Sequence, residues 1–298
     1  MPENSRAAVR RKNLLRRLTV TVSVAACTVG LSSVPAQAAG GRYVALGDSY
    51  VAGAFTGPVV GEPKLCLRSS ANYPSLTAEA LGIETLKDAS CSSAETTHMT
   101  RPQPMPLGLG SAPPQFDALT ADTTLVTLGI GGNDVKVLDM ITTCGLLSAT
   151  DLNGAPCTRY FTSGGTDQMR QRIDAVAPKV AAVLRGIRER APKAKVLVVG
   201  YLMAIPATEG CWPLLPFSRG DVPYGHGVLT AVNQMLDREA RAAGATYVDV
   251  AAPGHDACQA PDVRWVEPVI PANPSTPAHP NAAGMRAVAE RVVDAVNG

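Results

Sequence analysis

A serine, an asparagine and a histidine sit in three turn-like segments whose residue types could together cleave an acyl bond. The first segment is Leu46-Gly47-Asp48-Ser49-Tyr50, where Ser49 follows an apolar run and a Gly-Asp turn. A serine so placed is held at the top of a sheet with its hydroxyl exposed and the next helix's amino end beneath it, as nucleophiles are presented. Alone, Gly-Asp-Ser is also a common turn and capping sequence. The second segment is Gly129-Ile130-Gly131-Gly132-Asn133-Asp134, whose glycines let the backbone approach a substrate and whose Asn133 amide can donate to a developing negative oxygen. Read singly, it is a glycine turn capped by asparagine. The third is Ala278-His279-Pro280-Asn281 near the end of the chain, where a lone histidine beside a proline reads as a turn residue as readily as a base.

The elements that must position these residues follow from periodicity. Short apolar runs at 43–46, 84–89, 124–128, 195–199 and 245–250 read as strands. Helical patterns at 73–81, 167–191 (interrupted by Pro178), 227–243 and 282–296 lie between and after them. Strands alternating with helices imply parallel pairing through right-handed crossovers, because a tight turn cannot join a parallel pair. The expected fold is a three-layer α/β/α sandwich with a five-stranded parallel sheet. Near-continuous apolar runs such as Val196-Leu197-Val198-Val199 fit strands covered on both faces. Long segments rich in Pro, Gly and Ser at 53–63, 101–114, 144–165 and 253–280 follow the predicted strands, where an open α/β sheet places its ligand crevice. No internal repeat or second-domain boundary is evident.

Charge and cysteines point to export. Arg6, Arg10, Arg11, Lys12, Arg16 and Arg17 stand against Glu3 alone in the first 38 residues, a net of +5, so the remaining 260 carry −3 of the formal +2. An uncharged stretch at 18–31 and the small-x-small pattern Ala36-Gln37-Ala38 complete a secretory signal peptide over residues 1–38 with cleavage after Ala38, leaving a single domain at 39–298. The apolar run, 14 residues, is shorter than the ~20 that span a membrane. Two variants stay open: Arg16-Arg17 could be read by the twin-arginine route, and Val24-Ala25-Ala26-Cys27 loosely fits a lipoprotein cleavage box. Cleavage removes Cys27 and leaves six cysteines, an even count that implies disulfides in an exported chain. Sequential pairing (Cys66–Cys91, Cys144–Cys157, Cys211–Cys258) closes loops of only 12 to 46 intervening residues. No CxxC or HxxxH spacing supports a metal site, and none is expected.

Taken in order and at strand ends, the three segments resemble those of the SGNH (GDSL-type) serine hydrolases, specifically the secreted, disulfide-containing actinomycete esterases and lipases. The blocks that carry the resemblance are YVALGDSYVAG (43–53), DASCSSAETTHM (88–99), LVTLGIGGND (125–134), GHDAC (254–258), RWVEP (264–268) and HPNAAGM (279–285). The resemblance implies a flavodoxin-like fold and a Ser49 nucleophile whose proton passes to His279. It also implies an oxyanion hole from the Ser49 N–H, the Asn133 side chain and the N–H of Ser93. Ser93 departs from the glycine usual there. A second departure is the acid: the family's aspartate three residues before the histidine is replaced by Thr276. The expectation is therefore a Ser49–His279 dyad oriented by a backbone carbonyl at Thr276, with a triad completed by Asp256, Asp262 or Glu267 as the competing idea.

The function expected on these grounds is secreted hydrolysis of small-molecule or lipid carboxylic esters by a monomer, needing no cofactor and making transient contact with lipid surfaces. Phe55, Leu107, Leu109, Leu146, Leu147, Trp212, Leu214, Leu215 and Phe217 could line an acyl groove or form local loop cores. Aromatic residues, 4% of the chain, are too few to suggest a sugar-stacking platform, which favours acyl or lipid esters over sugar acetates. A phospholipase and a polysaccharide acyl esterase are variants of the same reading. The absent aspartate and Ser93 motivate a contrasting one, a secreted binding or wall-associated protein that keeps the fold without the activity. Nucleic-acid binding is disfavoured by the charge of −3 and the lack of a basic stripe.

Overall fold

A computed structural model describes residues 41–298. The expected leader at 1–38, with Arg16-Arg17, Cys27 and the cleavage site at Ala38, lies outside the described residues. Five strands form the main sheet: β1 (Arg42–Gly47), β2 (Thr85–Asp88), β5 (Thr123–Gly129), β6 (Lys195–Val199) and β7 (Thr246–Val248). Their order is β2-β1-β5-β6-β7 and every pairing is parallel. A separate two-stranded hairpin, β3 (Gln103–Pro104) and β4 (Ser111–Ala112), stands apart from it. The chain moves outward from β1 to β2, then crosses back to β5 on the other side of β1. This reversal opens a crevice at the carboxyl ends of β1 and β5, the switch point where open α/β sheets bind ligands.

The helices are α1 (Ser49–Ala52), α2 (Tyr73–Ala80), α3 (Gly132–Val135), α4 (Val137–Ser148), α5 (Pro156–Thr162), α6 (Gln168–Arg190), α7 (Val222–Ala242) and α8 (Ala282–Asn297). α2 packs on α8 and α6 on α7. The central strands are buried along almost their whole length, as a sheet covered on both faces requires. α6 runs unbroken through Pro178, contrary to the interruption expected. Pro178 and Asp174, whose carbonyl loses its partner, both face solvent, while Val176, Val180 and Val183 are buried and hold the helix together. The expected loop at 144–165 instead contains the end of α4 and all of α5.

The three disulfides are Cys66–Cys91, Cys144–Cys157 and Cys211–Cys258, the sequential set. Cys66–Cys91 ties the segment before α2 to the exit of β2, and Cys144–Cys157 joins α4 to α5. Among the described residues no helix is long and apolar enough to cross a membrane.

Candidate active site

The turn after β1 is set by backbone contacts. Gly47 adopts φ +150°, and a Cβ there would lie 2.3 Å from the Gly129 carbonyl oxygen and from Val51. Its N–H donates to Gln115 Oε1 (2.7 Å), while its carbonyl accepts from Gln115 Nε2 (2.8 Å) and from the Cys91 N–H (3.0 Å). Asp48 then caps α1, Oδ1 accepting from the Tyr50 N–H at 2.9 Å and Oδ2 from the Tyr201 hydroxyl at 2.6 Å. Burial pushes the Asp48 carboxyl up to about 7, despite those two hydrogen bonds. Ser49, the first residue of α1, is left at the mouth of the crevice.

Ser49 Oγ lies 2.7 Å from His279 Nε2, across 230 positions of sequence. On the other side of the ring, Nδ1 lies 2.7 Å from the carbonyl oxygen of Pro277. A carbonyl only accepts, so Nδ1 carries the hydrogen and Nε2 presents a lone pair to the serine hydroxyl. Burial holds the imidazole below its ordinary value, only partly offset by the Pro277 bond, so the ring is neutral at neutral pH and its Nε2 lone pair is available to take a proton.

The orienting carbonyl is thus that of Pro277, which corrects the expectation for Thr276. The Thr276 carbonyl accepts from the His279 N–H (3.2 Å), closing a turn with Pro277 and Ala278 at its centre. Ala278 has φ +59°, as the third residue of a type II turn requires, and this geometry leaves the Pro277 carbonyl outside the turn and free for the imidazole. The three candidate acids serve elsewhere. Asp256 accepts from the Cys258 N–H and Gln259, and Asp262 lies by Asn273 and Arg286 on a separate surface cleft. Glu267, fully buried, accepts from the N–H groups of Ala272 and Asn273 and from the side chains of Asn273 and Asn281, and pairs with the buried Arg264 at 3.3 Å. Burial alone would raise its carboxyl, but these donors outweigh burial and hold it below the usual range.

Asn133 and Ser93 line the same cavity as Ser49 and His279. Asn133 Nδ2 donates one hydrogen to the Ala94 carbonyl (2.9 Å), leaving the other uncommitted to that bond. Ser93 holds φ +64°, a left-handed conformation that costs a non-glycine residue about 1–2 kcal/mol. The two turns are fastened together by Asp134, which accepts from the N–H and the hydroxyl of Thr96. Two tyrosines join the remaining parts, and local sequence patterns do not single them out. Tyr201 accepts from the Gly132 N–H (2.8 Å) while donating to Asp48, and Tyr50 donates to the Ala278 carbonyl (2.7 Å).

The cavity has a volume of about 260 Å³, and its apolar wall comes from Leu67, Val137, Leu138, Ile141, Leu229 and Val232. None of the nine residues proposed for a groove is in that wall. Leu215 and Phe217 are core residues, while Phe55, Leu107, Leu109, Leu146, Trp212 and Leu214 are exposed and Leu147 is half-buried. On α4 the spacing of Leu138 and Ile141 turns them to the cavity and carries Leu146 outward. A larger cavity of about 420 Å³ at the ends of β6 and β7 contains neither Ser49 nor His279. Among the described residues no group of three or more His, Cys, Asp or Glu is arranged to hold a metal ion.

A parallel α/β sheet with a paired serine and histidine at its switch point describes a class of hydrolytic enzymes. Residues 45–287 match the GDSL-like Lipase/Acylhydrolase family, and the chain belongs to that family as a carboxylic ester hydrolase. Lipase 2 of Streptomyces coelicolor is 40% identical over 297 residues, which span 95% of this chain and 98% of that protein. Lipase 1 of the same organism is 32% identical over 89% of this chain and 90% of its own length. Of solved structures, phospholipase A1 from Streptomyces albidoflavus NA297 superposes with a TM-score of 0.69 at 28% identity, covering 86% of this chain and 98% of that one. The extracellular lipase from Streptomyces rimosus gives 0.69 at 26% identity with the same coverage.

Proposed function

We propose that the protein is an exported esterase that cleaves acyl-lipid esters through a Ser49–His279 dyad. The observation that carries this reading is the chain Ser49 Oγ, His279 Nε2, His279 Nδ1, Pro277 carbonyl, with 2.7 Å at each hydrogen bond, beside an apolar cavity. Ser49 Oγ bonds to the ester carbonyl carbon as its proton passes to His279 Nε2. The oxyanion is met by the N–H groups of Ser49 and Ser93 and the free amide hydrogen of Asn133. Collapse breaks the C–O bond, and the alcohol leaves with the proton from His279. Water then enters by the same base, releases the carboxylic acid and restores Ser49. The Pro277 carbonyl does the work usually assigned to a carboxylate, fixing the tautomer and stabilising the imidazolium.

The wall of aliphatic side chains favours a fatty acyl group over a sugar acetate. Three disulfides agree with an oxidising compartment and hence with export and removal of the leader; the reading takes the mature chain as a monomer. Hydrolysis of p-nitrophenyl esters of increasing acyl length tests the reading. Ser49→Ala and His279→Ala should each lower kcat by roughly 10³-fold or more, by analogy with serine–histidine pairs elsewhere. The acidic limb of kcat/KM should fall below pH 6.5, the ordinary value for histidine, because burial lowers the His279 value. No Ser49-dependent turnover at any chain length would instead favour a non-catalytic binding protein.

A further inference from the structure

The surface around the cavity mouth is apolar and nearly free of charge, and its most exposed side chains do not take part in the proposed chemistry. On one side stands the β3–β4 hairpin. Its root is fastened to the site, Gln103 donating to the Ser92 carbonyl at 2.7 Å beside Ser93, and the following Gln115 holding Gly47. Its tip carries Leu107 and Leu109, 94% and 63% exposed. No charged residue occurs between Arg101 and Asp117.

The other side of the mouth is built from three segments in contact. The Ala278 N–H donates to the Pro268 carbonyl (3.3 Å) and the Val269 N–H to the Leu214 carbonyl (3.1 Å). A Cβ on Gly145 of α4 would lie 3.2 Å from Pro216. This arc presents Ile270 (64% exposed), Leu214 and Leu146 (74% exposed), and it returns to the cavity at Leu138. Segments 210–218 and 268–280 contain no Asp, Glu, Lys or Arg, and α4 contains only Asp139.

Leu107 adds a conformational observation. It holds φ +58°, a left-handed conformation unfavourable for leucine that asparagine or glycine adopts at lower cost. An exposed turn residue that is both strained and apolar is not explained by stability or solubility, and such outliers point to function. A surface that drew on anionic lipid would carry lysines and arginines around the mouth, each adding attraction to the headgroups. The one lysine beside the cavity wall, Lys136 before Val137, is paired with Glu95 at 2.8 Å, and the hairpin and arc carry no Lys or Arg, so the electrostatic match of the rim is an uncharged or zwitterionic surface.

We propose that this rim docks the enzyme on zwitterionic acyl-lipid surfaces, the leucine-tipped hairpin and the Ile270–Leu146 arc entering the interface so that an acyl chain passes directly into the cavity. The inference deepens the acyl-lipid reading above and rests on it for the orientation of the substrate.

The test separates binding from turnover by using the Ser49→Ala chain with vesicles of phosphatidylcholine, with and without added phosphatidylglycerol. Co-sedimentation should show binding to phosphatidylcholine that phosphatidylglycerol does not strengthen. The double change Leu107→Asn with Leu109→Asn, and separately Ile270→Asn with Leu146→Asn, should each weaken it roughly tenfold or more, as loss of two inserted aliphatic side chains requires. Leu107→Asn alone should leave the thermal midpoint unchanged or raised, because asparagine tolerates this backbone conformation. In the active chain the same double variants should keep turnover of dissolved p-nitrophenyl butyrate within about twofold while emulsified long-chain ester turnover drops roughly fivefold or more.

Vesicle binding that ignores both double variants overturns the proposal, as does binding that needs phosphatidylglycerol. A concentration-dependent dimer abolished by the leucine changes also overturns it, since the face would then belong to a second copy. Vesicle binding by Ser49→Ala without Ser49-dependent hydrolysis in the parent would sink the esterase reading and leave the docking surface standing.

Discussion

The nucleophile and the base are held by two different kinds of structure. Ser49 stands at the end of a central strand, where Gly47 is pinned by Gln115, Cys91 and the neighbouring Gly129, and where Asp48 and Tyr201 bridge to the Asn133 turn. His279 lies in a segment between β7 and α8 whose only strand-like pairing among the described residues is the Val266–Pro280 bridge. That segment is organised around a buried carboxylate, Glu267, which gathers donors from 272, 273 and 281 and whose own N–H donates to the His279 carbonyl at 2.9 Å. A strand end takes its aim from the backbone ladder, and the side chains of Gln115, Asp48 and Tyr201 only lock it. A loop has no ladder, so a charged hub with several donors has to replace it.

The contrast can be broken first on the strand side. Gly47→Ala places a methyl group against backbone that cannot move without shifting β5, and it should lower stability by about 4 kcal/mol or more, with loss of ester turnover. Denaturant unfolding and turnover measured on the same preparation check it.

On the loop side, Glu267→Gln removes one charge of a buried pair and should cost about 3–5 kcal/mol. Its turnover should fall through kcat more than KM, because the imidazole is misplaced rather than the acyl wall. The pH dependence has a definite sign. The folded Glu267 carboxyl lies below its ordinary 4.5, so its contribution is present above that value and is lost as pH falls through the lower folded value. The gap between parent and Glu267→Gln in urea midpoint should therefore be full at neutral pH and shrink below pH 4.5.

Two smaller changes sharpen the comparison. Tyr201→Phe leaves the buried Asp48 carboxylate and the Gly132 N–H without their shared partner and should cost about 2–3 kcal/mol. Turnover should drop while the pH of the acidic limb, which belongs to His279, stays in place. Ser93→Gly relieves the left-handed backbone and should raise stability by up to about 1 kcal/mol with turnover close to the parent. A loss of turnover there would mean that the Ser93 side chain, and not only its N–H, serves the reaction.

Much of the fold was legible because β1, β5 and β6 are nearly uniform apolar runs, and that pattern survives without tertiary information. Less legible were α4 and α5, whose sequences contain threonine, cysteine and glycine and whose stability comes from packing and from Cys144–Cys157. Sequence alone places the orienting carbonyl one residue too early, because the choice between Thr276 and Pro277 depends on the backbone angle at Ala278. The acyl wall was missed because its residues come from α4, α7 and the turn at Leu67, each unremarkable in its own segment.

The amino-acid sequence by itself determined the strand runs and the order of nucleophile, asparagine and base, and hence the family. Those features are local, set by residue type and by periodicity along a few positions. The tertiary structure decided which carbonyl meets His279, that Glu267 braces its loop, that Tyr201 couples two turns, and which side chains wall the cavity. Each of these joins groups far apart in the chain or depends on a single backbone rotation, and such contacts exist only once the burial of the sheet has brought the strand ends and loops together.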